Sequence, residues 1–476
     1  MWRACFGPAA DQLEQLKTLS PHQLFKALQK NASKKPEYID VADDYLKGFF
    51  MGADEIGKQQ RPNELNADQR KKIQQKNRED IRSLNLSWLN EMVQSRAQLR
   101  EKMAFFWHGH FASRNINIFY QQQLLHIIRQ NALGSFRNLL HEVSRSAAIL
   151  NFLNAQQNRK DHPNENFARE VMELFTLGRG NYTENDVKDA ARAFTGWGAN
   201  LKGDFVFRKF QHDSGTKTLL GISGNLEGED VLDILLAQKQ TARFITEKIY
   251  HFFVNDIIDK EKTAWLAERF FKTDYNISAL IEDIFTSDWF YDDKNIGSRI
   301  KSPVELITGL QRMLPMQLQN EEALLLVQRV LGQILFYPPN VAGWPGGKTW
   351  IDSSTLMMRM RLPQLINDQD EWNISPKSDD DQMMGRRDED KGSKDERKGM
   401  NGPKPINATI DWDVYTNNFE AVPRENLLSS ISNSVLQLKP GIAPDVINDF
   451  ADNISRERFI KTVTIQLMSI PEYQMC

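Results

Sequence analysis

Cysteine is almost absent: Cys5 and Cys476 stand at opposite ends of 476 residues. No disulfide framework or Cys-rich zinc site can be built from them, and a reducing compartment is the expectation. Long apolar runs are lacking too; none reaches the roughly 18 residues of a membrane-crossing helix. Neither sign of charge dominates. With 60 Lys and Arg against 63 Asp and Glu the formal charge is −3, so there is no general pull toward nucleic acid or anionic lipid, and neither is expected as a partner. The start of the chain, Met1 to Pro8, has one basic residue and meets proline before an apolar stretch can form. No signal peptide is evident there and a cytoplasmic location is expected, with export through a removed leader left open. Also missing are the phosphate-binding G-x-x-x-x-G-K-[ST] loop, H-E-x-x-H, the G-x-S-x-G elbow and a strand-linked G-x-G-x-x-G. The common nucleotide, zinc-protease, hydrolase and dinucleotide classes lose their usual signatures.

Aromatic residues are plentiful, with 27 Phe and 10 Trp, enough for a large core. Helix signals dominate. Ser20-Pro21-His22-Gln23 and Ser302-Pro303-Val304-Glu305 each pair an N-cap Ser with Pro at the first helical position and an amide or carboxyl at the third. Thr183 to Asp186 is a similar start, followed by Val187, Ala190, Ala191 and Phe194 at helical spacing before Gly196. Periodic stretches at 66–107, 229–254, 277–290, 321–331 and 353–366 extend the pattern. The spacing predicts a mainly α protein: a large helical body with a small hairpin-like β element at Asp204–Phe210 and a long aromatic, Pro- and Gly-rich loop after Ile334. Three regions follow from composition. Residues 1–367 form the main helical domain, 368–407 a mixed-charge disordered insert with almost nothing to bury, and 408–476 a C-terminal helical segment. Phe450, Ile454, Phe459 and Ile460 are expected to dock that segment on the body.

Three runs carry the candidate chemistry. Phe105 to Ala112 holds His108 and His110 inside an aromatic wall. Residues i and i+2 of a helix point about 200° apart, so the two imidazoles converge only if the helix ends between them, which Gly109 would permit. The second run, Asn164 to Gly178, places Phe167, Val171, Leu174 and Phe175 on one stripe, with Asn166, Glu170 and Glu173 within about 60° of one another on its shoulder. Carboxylates on a shoulder are partly buried and call for a cation or a metal. The bland alternative is a solvated ridge in which Arg169 pairs with Glu165 and Glu173. In the third run, Ile334 to Asp352, Trp344 and Trp350 form either a platform for a sugar or other flat group or a packed connection between helices. His212-Asp213 is a weaker candidate pair.

The ordered set Trp107-His-Gly-His110-Phe111, Leu133-Gly-Ser-Phe136, Asn164-Glu-Asn166-Phe-Ala-Arg169-Glu170, Glu173-Leu-Phe-Thr-Leu-Gly178, Tyr182 to Val187, Ala193 to Trp197, His212-Asp213, Lys217 and Pro338 to Trp344 resembles the bacterial domain-of-unknown-function family eighteen hundred. The resemblance spans about residues 10–366 and extends to the C-terminal helices. It implies a mainly α-helical member of an uncharacterised family, often encoded beside a second family similar to sulfatases and alkaline phosphatases. Its motif positions fall on His108, His110, Asn164, Asn166, Arg169, Glu170 and Glu173, which points to a shared site without naming a reaction. The charged insert and the missing export signal depart from its pattern.

Two functions are therefore expected. One is a metal-dependent enzyme, hydrolase-like, acting on a glycan or ester. In it His108, His110 and Glu173 hold a divalent transition metal, Glu170 and His212 move protons, and Asn164, Asn166, Arg169, Asn340 and Trp344 bind substrate. The alternative is a non-catalytic accessory protein of a neighbouring-gene product of the sulfatase or phosphatase kind.

Overall fold

A computed structural model describes residues 1–51, 66–368 and 408–476. The expected insert at 368–407 falls, but for residue 368, outside the described residues. The body is mainly α, as its periodicity requires, and among the described residues no helix is long and apolar enough to cross a membrane.

The 66–107 stretch becomes two helices, α1 (Ala67–Gln94) and α2 (Gln98–His110). Ser95 turns extended between them, and the Gln98 side-chain amide donates to the carbonyls of Met92 and Ser95, closing the end of α1. Helix α2 is buried almost all round although its sequence begins Gln-Leu-Arg-Glu-Lys. Its charges are matched inside. Glu101 accepts from Arg129 Nε at 2.9 Å, Arg100 Nε at 3.0 Å and Trp88 Nε1 at 3.0 Å. Lys102 lies 2.5 Å from Glu305. A central helix can bury charge only when each group finds a partner, since an isolated one costs several kcal/mol.

Around α2 pack α3 (Ile118–Asn131), α6 (Lys239–Phe253) and α7 (Pro303–Met313), while a short helix α4 (Glu165–Glu170) packs on α5 (Glu184–Ala193). The three expected helix starts form as capping boxes at Ser20, Thr183 and Ser302. The strand-like interval narrows to Phe205–Phe207 (β2), antiparallel to Trp197–Ala199 (β1), with Trp197 opposite Phe207. Two further pairs were not foreseen. Lys217–Leu219 (β3) meets Ile222–Gly224 (β4), and Met316–Leu318 (β5) meets Ala408–Ile410 (β6), which ties the C-terminal segment to the body. Of its four expected docking residues, Phe459 and Ile460 are buried, but Phe450 and Ile454 are 77% and 79% exposed. The latter two lie outside the Arg456–Met468 helix, whose apolar face supplies the contact.

Candidate functional site

The helix ends at His110, not at Gly109, so the two histidines stay on different sides of α2. This corrects the expected convergence. His108 lies between the rings of Trp88 and Phe336, 5.1 and 5.0 Å away, with Trp344 at 5.5 Å. Its Nε2 accepts the Phe336 backbone N–H at 3.2 Å. Burial holds its pKa down to about 3, so it is a neutral acceptor. Phe336 has φ +68, a left-handed conformation that a bulky residue rarely adopts, and the bond to His108 helps fix it. The first histidine thus anchors the loop that carries Trp344.

His110 faces a different neighbourhood. Its Nε2 is 3.3 Å from the Phe175 carbonyl. A carbonyl only accepts, so Nε2 carries the hydrogen and Nδ1 is the acceptor. Lys248 Nζ donates to that Nδ1 at 3.2 Å and to the Leu174 carbonyl at 3.2 Å. Burial, and then the charge of Lys248, push the His110 imidazole well below its ordinary pKa. Burial also brings the half-buried Lys248 ammonium down to about 8.

The Asn164–Gly178 run explains why carbonyls are available there. After α4 the chain winds as a π-helix over Val171–Thr176, with Leu177 N–H bonding five residues back to Met172. The wider turn and the helix end leave the Leu174 and Phe175 carbonyls free to meet Lys248 and His110, where the negative end of the helix dipole favours a cation. Gly178 ends the run at φ +78, and a Cβ there would sit 2.9 Å from the Phe244 ring of α6. Only glycine lets α6 approach so closely.

His110 and Lys248 form part of the wall of a cleft of about 450 Å³. Helix α2 supplies Phe105, Phe106 and Gly109, and a Cβ on Gly109 would meet nothing within 4 Å, so its missing side chain keeps that wall open. Helix α6 supplies Phe244, Glu247, Lys248, His251 and Phe252, spaced i, i+3, i+4, i+7, i+8 on one face. The aromatic loop adds Trp344 and Trp350, and Arg299, Ser302 and Glu305 complete the lining. Gly343, at φ +82, would place a Cβ 2.5 Å from the Gly109 carbonyl, so the loop docks backbone to backbone on α2. His251 Nε2 and Asp256 Oδ1 are 3.5 Å apart at the cleft.

Most of the expected site residues do not line this cleft. Of the ten, His110 and Trp344 do. Asn164 caps α4 through the Asn166 N–H, and Asn166 donates to the Leu153 carbonyl. Arg169 pairs with Glu165 at 3.0 Å and Glu184 at 2.7 Å, and not with Glu173. Glu173 accepts from Tyr182 Oη at 2.6 Å. Burial, then the charge of Glu173, raise the Glu170 carboxyl. Asn340 is exposed and turns its own loop by accepting the Ala342 N–H. His212 Nδ1 donates to the Thr195 carbonyl at 2.9 Å, and Asp213 pairs with Arg192. The structure does not bring His108, His110 and Glu173 to one point, and among the described residues no group of three or more His, Cys, Asp or Glu is placed to hold a metal. Lys248, Glu247, His251, Arg299 and Glu305 escaped the sequence reading. For Lys248, Glu247 and His251 the signal is the α6 stripe, where charge and Phe share one helical face; Arg299 and Glu305 lie off that helix and carry no such signal.

Comparison with curated proteins and with solved structures found no match. A family model described as "Protein of unknown function (DUF1800)" matches residues 1–475. The chain whose His110 and Gly-Trp loop line this cleft, with the π-wound Glu-Leu-Phe-Thr-Leu-Gly segment bonded to His110 and Lys248, belongs to the DUF1800 family.

Proposed function

We propose that this chain is an enzyme that carries out proton transfer on a small organic substrate in the cleft, with Lys248 as the proton-transferring group. The observation that carries the reading is the placement of Lys248 Nζ, 3.2 Å from the acceptor nitrogen of a neutral, buried His110 and 3.2 Å from a helix-end carbonyl, on the wall of an aromatic cleft. A lysine whose pKa is brought close to neutrality supplies a free amine at modest cost, and that amine serves as general base or, once protonated, as general acid. His110 and the Leu174 carbonyl are its positioning partners. Trp344, Trp350 and Phe252 provide apolar walls, as small-molecule sites commonly do.

The metal-dependent hydrolase reading has less support. Both His110 nitrogens are already engaged, His108 uses its Nε2 on the Phe336 backbone, and Glu170 and His212 do not line the cleft.

The test is the reactivity of Lys248 itself. Full-length protein is labelled with a limiting amine-acylating reagent across pH 6.5–11, and each lysine's labelling is followed by peptide mass spectrometry. Lys248 should reach half-maximal labelling about two pH units below surface lysines, and His110→Phe should shift its profile. Lys248 that titrates with the surface lysines would sink the proposal and favour the accessory-protein reading, in which the cleft is a structural seam.

A further inference from the structure

Arg299 lines the cleft with its side chain buried and its residue only 7% exposed. Its guanidinium lacks a close oxygen partner among the described residues: Nη2 is 3.9 Å from Glu305 Oε1 and Nη1 is 3.8 Å from Cys476 Sγ. Glu305 is already taken. Lys102 Nζ lies 2.5 Å from its Oε1 and the Ser302 N–H donates to Oε2 at 2.7 Å. Burial by itself would raise this carboxyl, but Lys102 and then Arg299 outweigh it and hold it down to about 2, so it stays a single negative charge. Against that charge stand two buried cations, Arg299 on the cleft wall and Lys102 behind it on Glu305. Behind them Lys301 donates to the Tyr473 carbonyl, and Arg359 donates through Nη2 to the Lys301 carbonyl, leaving its Nε and Nη1 without a partner. The other carboxylates that line the cleft are placed elsewhere, since Asp256 faces His251 and Glu247 shares the α6 face with Lys248. A buried guanidinium with unspent N–H donors is strongly disposed toward an oxyanion, which takes two parallel hydrogen bonds from it. The Phe252 ring lies 5.0 Å from the Arg299 Cζ and holds the fork from one side.

We propose that the cleft takes an organic oxyanion, a carboxylate or a phosphate monoester, whose charged end sits on Arg299 and whose flat or apolar body lies along Phe252 and Trp344. The inference rests on the cleft being the substrate site proposed above, and it names the class of substrate that Lys248 would act on. Arg299 is a binding residue in this arrangement; it holds the anion and does not move a proton.

The experiment measures binding to the full-length wild-type protein by calorimetry and ligand-observed NMR, with benzoate, phenyl phosphate and the neutral benzamide as probes. The expected result is saturable binding of at least one of the two anions, with benzamide about tenfold weaker or silent. Benzoate stronger than phenyl phosphate identifies a carboxylate ligand, and the reverse order a phosphate; either supports the proposal. Arg299→Gln should weaken the anion about tenfold, and Arg299→Lys should keep part of the affinity. Equal binding of benzamide and benzoate by wild-type protein overturns the proposal, as does no anion binding at all, and these wild-type results decide the matter even where Arg299→Gln does not fold. The two readings fail separately. A Lys248 that titrates like a surface lysine, in protein that still binds benzoate through Arg299, removes the proton-transfer role and leaves the anion site standing.

Discussion

The sharpest consequence of the Lys248 geometry concerns the pH dependence of stability, seen by comparing wild type with Lys248→Met. The folded-state pKa falls from 10.5 to about 8, and burial is the cause. At about 1.4 kcal/mol for each pH unit, holding a protonated Lys248 in the fold costs about 3 kcal/mol as a ceiling. Solvent screening of a half-buried side chain brings the expected figure to about 1–3 kcal/mol. The sign follows from proton counting. Below pH 8 the lysine is protonated in both folded and unfolded chains, and the full cost is present. Between about pH 8 and 10.5 the unfolded chain holds more protons, so wild-type stability rises relative to the variant, and above that range the cost is gone. At pH 7 the substitution removes the charge but strands His110 Nδ1 and the Leu174 carbonyl, which costs about 1–3 kcal/mol. The two effects nearly cancel there. Urea unfolding of both proteins at half-unit steps from pH 7 to 10.5 should show wild type gaining about 1–3 kcal/mol on Lys248→Met. A difference that stays flat across the range refutes the buried-ammonium reasoning, and one that moves the opposite way would mean that Lys248 gains a carboxylate partner in solution.

Other outcomes follow from the same packing. Glu170→Gln should be neutral or slightly stabilising at pH 7, because burial and Glu173 raise the folded carboxyl's pKa and so penalise its charged form; the gain should fade as pH falls through the raised folded value and be gone below the unfolded one, which unfolding curves at pH 7 and pH 4 would reveal. Glu101→Ala should cost about 3–5 kcal/mol by stranding Arg100, Arg129 and Trp88 Nε1, and a loss below 1 kcal/mol by urea titration would contradict that network. Gly343→Ala forces a strained φ and a 2.5 Å approach to the Gly109 carbonyl; it should lower the melting temperature, and an unchanged melting temperature would mean that the loop is not docked on α2.

Local patterns account for much of the fold. Capping boxes at Ser20, Thr183 and Ser302, and the stripe Val187, Ala190, Ala191 and Phe194, read correctly because caps and helical faces depend on residues three or four apart. The sequence by itself determined the mainly helical class, the family and three of the cleft residues, His110, Trp344 and Trp350. It also marked Asn164 to Gly178 as special but for another reason, since the segment matters here through its π-wound backbone carbonyls and not through Glu170 or Glu173. What only the tertiary structure decided is which groups share a space. The Arg-Glu-Lys start of α2 reads as a solvated face, and it is buried because Arg129 and Glu305 arrive from helices 28 and 203 residues away in the chain. Lys248 and Arg299 looked ordinary for the same reason. A lysine becomes a proton-transfer group, or an arginine an anion seat, through the burial and partners that distant segments bring to it, and helical periodicity carries no record of those segments.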